Sequence, residues 1–394
     1  MNKGSVTVSK TLFVKTEIQR KWLEKLLPLE ESFKSHSREI DEQSKFPIEN
    51  IQALVDCGYT KLTLPKAYGG EGISVSEMIF LQETIASFDG ATGLTIGWHQ
   101  GVVGELYEKK LWDESALQAF AEEIKKGALV NRVASEIRTG SPTRGGRPST
   151  SAIKKDGKWV ISGTKSYATM SPALTHILIT AWVEEKEKIC VFLVDKKAEG
   201  ITIQENWDVM SMRGTASHDL VLENVEVDEE SLVEINEGPR GNALNGWILH
   251  IPACYLGIAQ AARDYAVQFA TQHSPNSLNG PISQLPNVQR LIGEIDLELM
   301  KARHFLYSVA EAYDDESRRS QLTNELGAAK HIVTNSAIKI VDLAMRLVGA
   351  KSLQLSNPLQ RYYRDVRAGL HNPPMDDMTI TKLAHSAIAE MTNR

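Results

Sequence analysis

Trp159-Val-Ile-Ser-Gly-Thr-Lys-Ser-Tyr-Ala-Thr169 opens on β-branched and aromatic residues with a period of two and closes on a run of hydroxyls. That period reads as a strand, and it is shared by the segments on either side: residues 151–154, 177–182, 189–194, 201–203 and 220–222. Turn signals at Asp156-Gly157, Glu199-Gly200 and Arg213-Gly214 separate them. Six or seven short strands with no helical stretch between them exclude a βαβ sheet, so the expectation for residues 131–232 is a small antiparallel barrel or sandwich.

Outward from this segment the period changes to that of a helix. Before it, Trp22, Leu23, Leu26 and Leu27, and then Met78, Leu81, Ile85 and Phe88, recur at helical spacing. The stretch Leu64-Pro-Lys-Ala-Tyr-Gly-Gly-Glu-Gly72 holds four breakers and reads as a loop. After it, stripes on residues 258–269, 288–299 and 329–347 predict three or four long amphipathic helices, as in a four-helix bundle. The fold class is therefore α+β: an N-terminal helical domain over 1–130, the β domain over 131–232 and a C-terminal helical bundle over 233–394.

Composition narrows the function. The 394 residues are 42% hydrophobic, and 50 acids against 44 bases give a net charge of −6. Phosphate backbones are gripped by clustered Lys and Arg, so nucleic acid is not an expected partner. No apolar run approaches the ~20 residues needed to span a bilayer, and no membrane partner is expected. Cys57, Cys190 and Cys254 lie far apart, which suits a reducing, cytoplasmic setting and offers neither a disulfide framework nor a metal site. Neither a Walker A run nor GxGxxG occurs, so no Rossmann nucleotide site is expected.

Three polar stretches remain for chemistry. Ala134-Ser-Glu-Ile-Arg-Thr-Gly-Ser141 and Gly163-Thr-Lys-Ser-Tyr-Ala-Thr169 offer hydroxyl and backbone donors without bulk, suited to a phosphate or a ring carbonyl, although each alone reads as a polar turn. The third runs from Asn357 through RYYRDVR into Gly369-Leu-His371-Asn-Pro-Pro-Met-Asp376-Asp377. Its adjacent prolines force a shaped loop. His371, Asp376 and Asp377 are its acid/base candidates, with helix capping as the competing explanation.

In this order the pieces resemble the acyl-CoA dehydrogenase flavoprotein superfamily: LPKAYGGEG, SEIRTGS, WVISGTKSYAT, MRGTASHDLVLENVEV, LGIAQAARDYA and RYYRDVR. The resemblance implies FAD held between the β domain and the bundle, usually in a homotetramer, with a homodimer as the smaller option. It places Ser135 at the flavin ring, Ser141 at the pyrophosphate, Tyr167 beside the isoalloxazine and Thr169 near its N5. Gly349 stands where the family has QxxGG, but the glutamine is missing. The family's RxxFG run reads Ser274-Pro-Asn-Ser-Leu-Asn-Gly280, which leaves FMN open beside FAD.

The resemblance also implies an acyl-CoA thioester oxidised at Cα–Cβ, with hydride passing to N5 and an electron acceptor as partner. The family's glutamate base is absent, however. Ungapped counting puts Pro373 at its position, an insertion puts Asp376 there, and the alternative position falls near Trp247. The HNP run resembles instead the dibenzothiophene monooxygenase branch, in which reduced flavin forms a C4a-(hydro)peroxide. There His371 would be catalytic, oriented by Asn372, with His99 as a possible companion and a flavin reductase as partner. The leading expectation is the dehydrogenase with Asp376 as base, the second the monooxygenase with His371, and the third a flavin-binding scaffold without turnover.

Overall fold

The computed structural model describes residues 8–140, 146–236 and 244–392. Seven helices come first: α1 (Val8–Thr11), α2 (Glu17–Leu26), α3 (Glu30–Gln43), α4 (Ile48–Asp56), α5 (Val75–Phe88), α6 (Gly90–Glu108) and α7 (Glu114–Lys125). Their starts are set by local chemistry. Thr16 and Ser74 close capping boxes with Gln19 and Glu77, and the Asp89 and Asp113 carboxylates accept from the first turns of α6 and α7. α5 and α6 are buried almost all round and form the centre of the molecule.

Eight strands follow: β1 (Val130–Val133), β2 (Ser151–Lys155), β3 (Lys158–Ala168), β4 (His176–Val183), β5 (Lys188–Asp195), β6 (Ile201–Gln204), β7 (His218–Val227) and β8 (Leu232–Ile235). All the expected strands are present, but the expected antiparallel barrel is not. The order is β6-β7-β3-β2-β4-β5-β8, with β1 also beside β4, and the sheet is open rather than closed. It is mixed as well, because β1 and the first residue of β2 both pair parallel to β4, at His176–Ile179 and at Trp182. A period of two identifies a strand but carries no direction, and the β1–β2 connection leaves the sheet instead of turning back as a hairpin. That departure presents the Ser135 loop at the end of β3.

The remaining helices are α8 (His250–Gln272), α9 (Pro286–Asp314), α10 (Glu316–Arg319), α11 (Glu325–Val348), α12 (Pro358–Ala368) and α13 (Asp376–Thr392). The long α8 lies against α5 on one side and α11 on the other, so the C-terminal helices share a core with the N-terminal ones. Close approach depends on Gly257, where an added Cβ would stand 2.4 Å from the Glu83 carbonyl. A buried ion pair, Arg303 to Glu83 at 2.6 Å, joins α9 to α5, with Tyr307 and Gln260 completing its hydrogen bonds. α13 differs from the rest: among its described residues only Thr379 is buried, and Ile380, Ile388 and Met391 are exposed. No helix among the described residues is long and apolar enough to cross a membrane, and no cluster of three metal-ligating side chains occurs among them.

Candidate functional site

The end of β3 and the turn leading into β7 meet in a chain of hydroxyls. Thr169 Oγ1 lies 2.8 Å from Ser217 Oγ, and Ser217 Oγ lies 2.9 Å from Thr215 Oγ1. Thr215 Oγ1 donates to the Met212 carbonyl at 3.0 Å. A carbonyl only accepts and each hydroxyl has one proton, so the direction is settled along the chain. Ser217 donates to Thr215, Thr169 donates to Ser217, and Thr169 Oγ1 is left with lone pairs alone to offer a further partner.

Beside it Tyr167 has a left-handed backbone (φ 60°), and the residue is 62% exposed. A tyrosine in this conformation is uncommon, and its neighbours hold it there. The Ser166 N–H donates to the Ser135 carbonyl at 2.8 Å, and the Trp207 ring meets Tyr167 edge-on at 6.1 Å. Ser166 Oγ is buried and has no hydrogen-bond partner among the described residues. Ser135 and Thr169 are thereby brought to one strand end, with an aromatic ring facing outward between them.

The loop carrying Ser135 is organised by Glu136. Its carboxylate accepts from Lys165 Nζ at 2.8 Å, from the backbone N–H groups of Ser149 and Thr150, and from the hydroxyls of Thr139, Ser149 and Thr150. Burial works against ionisation, but Lys165 and the two hydroxyl residues outweigh it and hold Glu136 well below the usual carboxylate range.

On the other side, the Asp365 carboxylate of α12 accepts from Met212 N–H at 2.7 Å. Its neighbour Arg364 reaches Asp41 of α3 and the Met210 carbonyl. Asp365 is buried with little to compensate, and burial pushes it up to about 7. The turn that delivers Thr215 and Ser217 is thus hung from α12.

Models of three domains match this chain in order: the acyl-CoA dehydrogenase N-terminal domain over residues 28–110, the middle domain over 132–225 and the C-terminal domain over 249–372. The chain belongs to the acyl-CoA dehydrogenase family.

It is 59% identical over 377 residues to a Bacillus subtilis (strain 168) protein named "Putative acyl-CoA dehydrogenase YdbM", covering 96% of this chain and 99% of that one. Butyryl-CoA dehydrogenase from Megasphaera elsdenii superposes with a TM-score of 0.84 at 20% identity, over 95% of this chain and 99% of that one. Methanesulfinate monooxygenase MsuC from Pseudomonas fluorescens gives 0.82 at 22%, over 93% and 97%. At these identities the two structures share the fold with this chain.

Acyl-CoA dehydrogenase family members are flavin-dependent oxidoreductases, and the β3 end fits such a group. It offers an exposed ring for stacking, a spare acceptor at Thr169 and a spare hydroxyl at Ser166. Ser141 lies outside the described residues. Gly349 ends α11 with φ 71° and open space around it.

His371 is exposed on the loop after α12, and its backbone N–H donates to the Ala368 carbonyl. Asn372 turns its amide oxygen to the Tyr255 hydroxyl at 2.5 Å, so it fixes the loop to α8. Asp376 opens α13 and is bound by Asn335 at 2.9 Å and by Lys330 and His331 at 3.3 Å each. Despite partial burial these partners lower its pKa. The α11 residues that bind Asp376, from Lys330 to Asn335, precede Gly349 by fourteen to nineteen residues, about 21–28 Å along the helix, so Asp376 and Gly349 lie toward opposite ends of α11.

His99 does not join His371. Its Nε2 meets the Thr60 carbonyl at 2.8 Å and its Nδ1 accepts from Val130 N–H at 3.2 Å, so both ring nitrogens are used, and burial lowers its pKa to about 4. Trp247 is also in packing, its indole N–H donating to Glu108. The residues missed at sequence level are Thr215, Ser217, Trp207 and Asp365. Three of them sit within MRGTASHDLVLENVEV or RYYRDVR, but no spacing rule says that these motifs fold onto Thr169.

Proposed function

We propose that this protein is a reduced-flavin-dependent monooxygenase, converting a small organic substrate, dioxygen and reduced flavin into the oxygenated product, water and oxidised flavin. The observation that carries the reading over a dehydrogenase is the engagement of Asp376, the candidate α-proton base, by Lys330, His331 and Asn335; the direction of the hydroxyl chain adds a site suited to reduced flavin. Reduced flavin bears a proton on N5 and oxidised flavin does not. With Thr169 at N5, an oxygen whose own proton is spent on Ser217 favours the protonated form. The bound flavin supplies oxygen activation. The chain positions it through Tyr167, Ser135 and Thr169, and presents the His371 imidazole for proton transfer on a loop tied down by Tyr255–Asn372.

The dehydrogenase reading needs a base for the α-proton. Its candidate, Asp376, is occupied by Lys330, His331 and Asn335 and has a lowered pKa, which makes it a weak base. Assembly with a second copy is part of the proposal: Gly349, which has open space around it at the end of α11, serves a partner's cofactor if FAD is bound and is not needed if FMN is.

The test is anaerobic titration of the flavin-loaded protein with acyl-CoA thioesters, together with the reduction potential of the bound flavin in the wild type and in Ser217→Ala. No thioester is expected to bleach the flavin. Ser217→Ala frees the Thr169 proton to donate to oxidised N5, and the potential is expected to fall by about 30 mV, or about 1.4 kcal/mol for a two-electron couple. Bleaching by a thioester overturns the reading, and an unchanged potential overturns the placement of Thr169 at N5.

A further inference from the structure

A cavity of about 790 Å³ opens between α3, the end of α5, the second half of α8 and the start of α12. That is the size of a pocket for a small organic ligand. It contains none of Ser135, Tyr167, Thr169, His371 or Asp376, so it is separate from the flavin face.

Its charges do not cancel by pairing. The four carboxylates in its wall are each taken: Glu30 by Lys34, Glu42 by Arg38, Asp41 by Arg364, and Asp264 by Arg263. Two cations remain without a carboxylate within ion-pair distance among the described residues. Lys10 is 4% exposed, with Nζ on the Thr84 hydroxyl at 2.7 Å and above the Phe80 ring. Arg361 has a ring contact 5.2 Å from the centre of Tyr362, and Asp89, Asp365 and Asp41 act on it from longer range.

Carboxylates act on these two cations only from beyond ion-pair distance, and a planar guanidinium lining a cavity is suited to bidentate capture of an anionic oxygen group. Leu27, Phe88, Val267 and Leu355 line the same space and suit an apolar body. We propose that this cavity binds a small organic anion, a carboxylate or phosphate on an aromatic or short aliphatic body, with Arg361 as its anchor and Lys10 at its floor.

The experiment is isothermal titration of the flavin-loaded protein with benzoate and with phenyl phosphate. Saturable binding of either probe is expected, and the tighter one identifies the head group. Arg361→Gln is expected to weaken it about tenfold or more, and Val267→Trp, which fills the cavity, to abolish it. Flavin content is expected to be unchanged in both, which separates this site from the flavin reading. Binding of neither probe up to about 10 mM, or binding to Arg361→Gln as tight as to the wild type, overturns the proposal. If Arg361→Gln does not fold, Lys10→Met and Val267→Trp decide it: wild-type affinity in both overturns it.

Discussion

Glu136, bound to Lys165 of β3, and Asp365, bound to the turn before β7, are both buried carboxylates, and their pKa values are shifted in opposite directions. Glu136 lies against a buried lysine and is wrapped by backbone and hydroxyl donors. Asp365 has one strong backbone donor and arginines at longer range. Asp365 is the more deeply enclosed of the two and also has fewer donors, so burial and missing donors together raise its pKa, whereas the donors around Glu136 outweigh its desolvation. The comparison also assigns their work: Glu136 builds a rigid loop, whereas Asp365 holds a turn with a bond that survives its own protonation.

The largest effect should come from breaking the better-served carboxylate. Glu136→Gln leaves Lys165 charged and buried without its counter-ion, and is expected to lower unfolding free energy by about 3–5 kcal/mol in urea denaturation. Adding Lys165→Met should recover a good part of that loss, and no recovery would mean that the hydroxyl donors rather than the ion pair carry the loop.

A smaller, pH-dependent effect is expected at Asp365. Its folded pKa is raised, so its contribution is fully present below the unfolded value, near 4, and is lost as pH rises through about 7. Between pH 4.5 and 7.5, the wild type should lose on the order of 2–4 kcal/mol relative to Asp365→Asn, which keeps an acceptor for Met212 N–H and cannot ionise. Parallel urea midpoints at the two pH values would show instead that Asp365 is ionised throughout.

The smallest effect belongs to Asp376, half-buried at the start of α13. Its folded pKa is lowered, so its contribution is present above the unfolded value and disappears as pH falls below about 4. Asp376→Asn should cost about 1 kcal/mol at neutral pH and nothing in acid. An equal cost at both would place its value in hydrogen bonds rather than in charge.

The strands around Trp159–Thr169 were legible because alternation is a local property. Strand direction was not, since the parallel pairing of β1 and β2 with β4 depends on where a seventeen-residue excursion returns. The same distinction applies to the site. Ser135, Tyr167 and Thr169 lie in short motifs with readable chemistry. The partners that decide the role of Thr169, namely Ser217, Thr215 and the Met212 carbonyl, are more than forty residues away along the chain. His99 is the converse case: its sequence surroundings left catalysis open, and two backbone groups from α6's neighbours occupy both its nitrogens.

α13 has a kinetic consequence. Its first turn is fastened by Lys330, His331 and Asn335, and its middle by Lys382 on the Thr323 carbonyl and Ser386 on the Asn324 side chain, but beyond Ser386 the helix rests on its own last turns, too short to persist alone in water. Backbone amides up to Ser386 should therefore exchange with deuterium slowly, and those toward Thr392 faster. A second copy covering Ile380, Ile388 and Met391 would slow the fast end in proportion to protein concentration, which makes the tail of this helix a built-in gauge of association.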